Sequence, residues 1–167
     1  MISADVLSGL KPCSEARPAQ TGDGMPSRID YAHMKTAENY AELSYARRLK
    51  VGAIVTKDDR VISIGYNGTP KGWDNNCEDE VRTPSFLEKQ LKTKPEVIHA
   101  EANAIAKLAR SKESGENASM YITHAPCFDC AKLIYTAGIR KVFYREHYRS
   151  EQGIEFLHKC GIEVEKI

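Results

Sequence analysis

The stretch SMYITHAPCFDCAKLIYTAGIRKVFY, residues 119–144, decides the fold. Ser119 to Thr123 reads as a short strand, Cys127 to Ala137 as a helix opening just after Pro126, and Lys141 to Tyr144 as a second strand. The alternation continues outward in both directions. Downstream, Glu151 to Lys159 is a helix and Ile162 to Glu165 a last strand. Upstream, Ala100 to Arg110 is a helix whose apolar face is Ala102, Ile105, Leu108 and Ala109. Further upstream, Val51 to Thr56 and Val61 to Tyr66 are β-branched strands, and the polar turn Lys57-Asp58-Asp59-Arg60 joins them as an antiparallel hairpin. A hairpin followed by alternating helices and strands predicts an α/β fold: a mixed sheet with helices on both faces and no internal repeat.

The remaining segments are less regular. Ser27 is placed to cap a helix from about Arg28 to Leu49, with Tyr31, Met34, Ala37, Ala41 and Tyr45 at roughly helical spacing. Arg47, Arg48 and Lys50 then complement the negative end of that helix. Asn67 to Val97 reads as a long loop holding one short helix around Ser85 to Leu91, and loops of such length in a compact domain usually carry function. Residues 1–27 hold Pro12, Pro18, Pro26, Gly22 and Gly24 with little apolar periodicity, so they form an N-terminal extension to a single domain over 28–167.

Composition narrows the function classes. The chain has 167 residues, with 24 Lys and Arg against 23 Asp and Glu, a balance that leaves no footprint for a long polyanion and disfavours a nucleic-acid partner. No stretch reaches the ~20 apolar residues of a membrane span, and the N-terminus lacks a signal-peptide pattern. Five cysteines, two of them in one CxxC, fit reduced thiols and metal binding in a cytoplasmic protein better than a disulfide framework.

The chemistry lies in His99-Ala100-Glu101 and, 28 positions after the histidine, Pro126-Cys127-Phe128-Asp129-Cys130. Either piece alone is ambiguous: a histidine opening a helix is more often structural, and a lone CxxC can be a redox pair. Together they form the H-x-E…P-C-x-x-C pattern of zinc deaminases. A catalytic Zn2+ takes three protein ligands and keeps a fourth position for water. Cys127 and Cys130 can clamp one ion from a helix N-terminus that favours thiolates, and His99 supplies the third ligand. Glu101, two residues past His99, stands beside the metal without binding it and shuttles protons from water to the ring nitrogen and the departing amine. As an alternative, Glu101 is a first-turn acid that only favours the helix dipole.

From about Val51 to Ile167 the sequence resembles the deoxycytidylate deaminases, within the cytidine deaminase superfamily. The segments that carry the resemblance are VGAIV (51–55), ISIGYNGTPKG (62–72), HAEANAIAKLA (99–109), MYIT (120–123), APCFDCAKLIYTAGIRKVFY (125–144) and CGIEVEKI (160–167). The resemblance implies a three-layer α/β/α sandwich around a five-stranded mixed sheet, and a homo-oligomer, commonly a hexamer. It matches His99, Cys127 and Cys130 to the zinc ligands, Glu101 to the proton shuttle, and Asn67 to a sugar contact, with Ala100, Ala125 and Pro126 also beside the substrate. It further implies hydrolysis of dCMP to dUMP, supplying thymidylate synthesis. Gly65, Tyr66 and Gly68 fall in a motif associated with an effector site, activated by dCTP and inhibited by dTTP, where Mg2+ would accompany the nucleotide. Read from the residues alone, the two glycines serve equally well in a plain turn after a strand.

His124 departs from the family, which has a small or apolar residue there, and reads as a strand-end histidine rather than a substrate contact. Cys77 alone offers no ligand set for the second, structural zinc of some relatives. Arg47, Arg48, Lys50, Lys71 and Arg145 are unranked candidates for a 5′-phosphate. Two rival readings remain: the same zinc chemistry on another base or on a nucleic acid, and a zinc-stabilised binding module without catalysis.

Overall fold

The computed structural model describes residues 25–82 and 89–167. The expected extension over 1–27 lies almost wholly outside the described residues. Helix α1, Arg28–Ala41, opens on a reciprocal cap: the Ser27 backbone N–H donates to Asp30 Oδ2 at 2.7 Å, and the Asp30 N–H donates to Ser27 Oγ at 3.4 Å. Two strands follow, β1 (Gly52–Lys57) and β2 (Arg60–Tyr66), paired antiparallel. Asp58 and Asp59 join them with φ of 51° and 57°, the left-handed pair that a two-residue hairpin requires. After β3 (Glu78–Arg82), β4 (Lys89–Thr93) and α2 (Ala100–Leu108), the chain alternates through β5 (Ser119–His124), α3 (Phe128–Thr136), β6 (Lys141–Glu146), α4 (Gln152–Lys159) and β7 (Glu163–Lys166).

The main sheet has five strands in the order β2-β1-β5-β6-β7, antiparallel across β2-β1-β5 and parallel across β5-β6-β7. Side chains alternate cleanly between its faces. Ile54, Tyr121 and Phe143 point to one side and are covered by Met34 and Ala37 of α1. Ala53, Val55, Met120, Ile122 and Val142 point to the other, against Ala100 and Ala104 of α2, Ala131 and Ile134 of α3, and Leu157 of α4. The α/β/α sandwich expected from the sequence is therefore the fold. Among the described residues no helix is long and apolar enough to cross a membrane.

Two glycines let the helices approach the hairpin. A Cβ on Gly65 would stand 2.1 Å from the Ala100 carbonyl oxygen and 2.6 Å from the Ala104 nitrogen. On the opposite face, a Cβ on Gly52 would stand 2.0 Å from the Ala37 carbonyl oxygen. Both positions exclude every other residue type at the present helix–sheet spacing.

Two expectations need correction. Helix α1 does not run to Leu49; it ends at Ala41, and Leu43 and Ser44 close the end with bonds to the Tyr40 and Ala41 carbonyls. The segment beyond is captured from outside. Ser44 Oγ donates to the Asn67 carbonyl at 2.7 Å, and the Asn67 amide receives the Val51 N–H at 2.8 Å while donating to the Leu49 carbonyl at 2.8 Å. Arg47 and Arg48 therefore do not serve the helix end, whereas Lys50 Nζ still reaches the Glu42 carbonyl at 3.4 Å. The second correction concerns the helix expected over Ser85 to Leu91. Lys89, Gln90 and Leu91 lie in strand β4, paired antiparallel with β3, and residues 83–88 lie outside the described residues.

Candidate active site and metal centre

Helices α2 and α3 aim their N-termini at one point. His99 is the N-cap of α2 and Cys127 the N-cap of α3, both with extended backbones, and neither side chain caps its own helix. Instead they face each other. His99 Nδ1 lies 3.6 Å from Cys127 Sγ and 3.4 Å from Cys130 Sγ, and the three donor atoms all fall within 4.8 Å of one another. Zinc bonds of ~2.3 Å to sulfur and ~2.05 Å to nitrogen, at a tetrahedral angle, demand an S–N separation of about 3.5 Å. The observed pair brackets that distance, so the donor set fits Zn2+ in both chemistry and spacing. Among the described residues this is the group of histidine, cysteine and acidic side chains able to hold a metal.

The electrostatics fit the same use. Cys127 is pulled down to about 4, first by a hydrogen bond from Cys130 and then by His99. Cys130 is pushed up, because it donates to Cys127 and is buried. The metal-free pair thus shares one proton, and the positive ends of two helices add to the stabilisation of the thiolate. Hydrogen bonding to Cys127 raises the His99 pKa, against the effect of burial.

Glu101 is buried in the first turn of α2, and burial pushes its carboxyl up to about 7. It lines the same cavity as His99 and Cys127 but is not one of the three clustered donors. A group near neutrality in a buried cleft can give and take protons at physiological pH, which an ordinary surface carboxylate cannot do efficiently. The cavity is a half-open cleft that also has Arg48, Asn67 and His124 in its lining.

The description "Cytidine and deoxycytidylate deaminase zinc-binding region" matches residues 27–146. This chain belongs to that family. It is a zinc-dependent hydrolytic deaminase. The deaminase is 37% identical over 149 residues to the deoxycytidylate deaminase of Enterobacteria phage T4, covering 69% of this chain and 77% of that one. It is 43% identical over 101 residues to the human deoxycytidylate deaminase, covering 57% of this chain and 52% of that one. The crystal structure of dCMP deaminase from the cyanophage S-TIM5 in complex with dCMP and dUMP superposes on it with a TM-score of 0.75 and 43% identity. That match covers 86% of this chain and 99% of that one.

Most residues singled out by sequence converge in the deaminase cavity. Asn67, His99, Ala100, Glu101, Ala125 and Cys127 all line it, and the buried Cys130 completes the donor cluster. Pro126 is fully buried and does not belong to the lining. The Asn67 amide is engaged by Leu49 and Val51, leaving one N–H and one lone pair for a ligand. His124 does end β5, yet it also lines the cavity; burial lowers its pKa and its Nδ1 lies 3.2 Å from Thr123 Oγ1. Gly65, Tyr66 and Gly68 do not line the cavity: Gly65 is pressed against α2, whereas a Cβ on Gly68 would meet nothing within 4 Å. Cys77 is buried with Ala46 and Val97.

The structure also ranks the unranked cations. Arg145 pairs with Glu38 at 3.0 Å, Lys50 with Glu42 at 3.0 Å, and Arg47 with Glu80 at 3.6 Å. Among the described residues Arg48 is the one Lys or Arg that lines the cavity; Lys71 is not in the lining. Thr93 and Tyr148, also in the lining, escaped the sequence reading because neither belongs to a motif.

Proposed function

We propose that this deaminase converts dCMP and water to dUMP and ammonia, with His99, Cys127 and Cys130 as zinc ligands and Glu101 as proton shuttle. The observation that carries the reading is one cavity that brings together the metal donors, a buried acid near neutrality and the Arg48 guanidinium. When bound, zinc supplies the Lewis acidity that brings the pKa of water to near ~7. The Glu101 carboxylate accepts a proton from the attacking water and delivers it to the ring nitrogen of the cytosine. As the bond to the exocyclic nitrogen breaks, Glu101 carries a second proton to it, and ammonia leaves. Arg48 offers the bidentate geometry that suits a 5′-phosphate, and the relatives named for deoxycytidylate support a monophosphate substrate.

A single domain over 28–167, a homohexamer, a cytoplasmic setting and a role in thymidylate supply complete the proposal. So does control by dCTP and dTTP at Gly65, Tyr66 and Gly68, with Mg2+ only as companion of the nucleotide. Gly68, with open space around it, supports an effector contact; Gly65 has a packing role that needs none. The test is Glu101→Gln assayed by ultraviolet absorbance on dCMP, CMP and deoxycytidine. Turnover of dCMP should fall by about 10²–10⁴-fold with zinc content retained. A fully active variant would sink the mechanism, and wild-type protein inert towards dCMP would sink the substrate.

A further inference from the structure

We propose that the β3–β4 ribbon is a positioning device for Arg48, in which Glu78 and Thr93 hold the guanidinium where it receives the phosphate of the substrate. The proposal rests on the dCMP reading and adds two residues to it.

The ribbon is an unlikely structural element on its own terms. Its strands EDEVR and KQLKT lack an apolar face, and Glu78 is the sole buried residue of either strand. Burying a carboxylate is costly unless its oxygens are met by donors. Here each oxygen takes one backbone N–H from consecutive residues: Arg47 N–H donates to Oε2 at 3.1 Å, and Arg48 N–H donates to Oε1 at 3.2 Å. The Arg47 side chain adds an ion pair through Nε at 3.9 Å. One carboxylate therefore fixes the backbone at both residues.

The other end of Arg48 is fixed from the same rung. Glu78 and Thr93 are register partners across the ribbon, and Arg48 Nη1 donates to Thr93 Oγ1 at 3.0 Å. A free arginine side chain loses rotamer freedom when it is immobilised on a ligand. Arg48 gives up that freedom on folding, because its main chain is anchored by Glu78 and its guanidinium by Thr93. Of the five N–H donors of the guanidinium, one is used by Thr93. Thr93 and Arg48 both line the cavity, and among the described residues Thr93 is the side-chain partner of the guanidinium. Preorganisation of this kind raises affinity without new contacts to the ligand.

Among the described residues neither Glu78 nor Thr93 shares a hydrogen bond with the metal donors or Glu101. Their effect should thus fall on substrate capture and not on the chemical step. Thr93→Val removes the hydroxyl at constant volume. It should raise KM for dCMP about tenfold (~1.4 kcal/mol) with kcat little changed, and weaken competitive inhibition by inorganic phosphate in parallel. Thr93→Ser restores the hydroxyl and should restore KM to within about twofold, since the bond to the charged donor is remade. Glu78→Gln should raise KM at least as much, because one of the two adjacent N–H groups loses its acceptor and faces an NH2 donor instead. Should Glu78→Gln fail to fold, the Thr93 pair decides alone. An unchanged KM in Thr93→Val, or a fall in kcat at constant KM, overturns the positioning role while leaving the dCMP reading intact. Wild-type protein without dCMP turnover in the same assay overturns both.

Discussion

Replacing Gly65 by alanine tests how tightly the hairpin sets the active site. The added Cβ would stand 2.1 Å from the Ala100 carbonyl oxygen and 2.6 Å from the Ala104 nitrogen, both main-chain atoms of α2. A carbon and an oxygen not bonded to each other settle near ~3.4 Å, so α2 must withdraw by roughly 1 Å. Overpacking a close-fitted interior costs about 1–3 kcal/mol, and a clash with backbone belongs at the upper end. At a urea dependence of ~2 kcal/mol per molar, the midpoint should drop by about 1.5 M in zinc-saturated protein. Helix α2 carries His99 at its start and Glu101 in its first turn, and a displacement of ~1 Å at catalytic groups can cost about 10²-fold in rate. Urea unfolding followed by circular dichroism, together with dCMP turnover, measures both effects on one preparation. A variant with wild-type midpoint and wild-type kcat would refute the close approach. A variant that loses stability but keeps kcat would refute the claim that α2 transmits the change to Glu101.

Other outcomes follow from the buried polar groups. Tyr121 OH donates to Asp30 Oδ1 at 2.6 Å; Tyr121→Phe should cost about 1–2 kcal/mol near neutral pH. Burial acts to raise the Asp30 pKa, but hydrogen bonds from Ser27 and Tyr121 outweigh it and hold the carboxyl below its ordinary value. That stabilisation is complete above the unfolded pKa of ~3.9 and disappears as pH falls through the lower folded value. The gap between wild type and Tyr121→Phe in unfolding free energy should therefore close in acid; a gap independent of pH would contradict the pairing. Because Cys130 holds its proton in the metal-free site, zinc uptake should release at least one proton per chain near pH ~8. Titration calorimetry in two buffers of different ionisation enthalpy reads the number, and zero release would contradict the shared-proton description.

The parts of the fold legible in the sequence are those fixed by local chemistry. The Asp58-Asp59 turn, the Ser27 cap and the strand–helix–strand run from Ser119 to Glu146 each carry their signal within a few neighbouring residues. The zinc donors were legible because thiolates and imidazole at fixed spacing have few alternative uses. The apolar pattern of residues 42–49 extends helix α1 past its real end, because the segment is held instead by Asn67 and Glu78 from far along the chain. The ribbon escaped because EDEVR and KQLKT show no apolar alternation; what anchors it is one buried acid and its backbone donors. Arg48 could not be separated from Arg47 by sequence, since the difference lies in which of two adjacent side chains turns into the cavity.

Both ends of the metal centre lie at helix starts, His99 and Cys127 being 28 positions apart along the chain. An ion there acts as a removable staple between two segments that otherwise meet through small side chains such as Ala100, Ala104 and Ala131. Withdrawing the staple leaves the β1–β2 hairpin and the parallel β5–β6 pairing with their own ladders, but frees the first turn of α2. Amide hydrogens around Ala100 to Ala104 should then exchange with solvent deuterium faster in chelated protein, while those of β5 and β6 keep their protection. Metal supply would in that way govern the lifetime of one helix rather than the survival of the whole sheet.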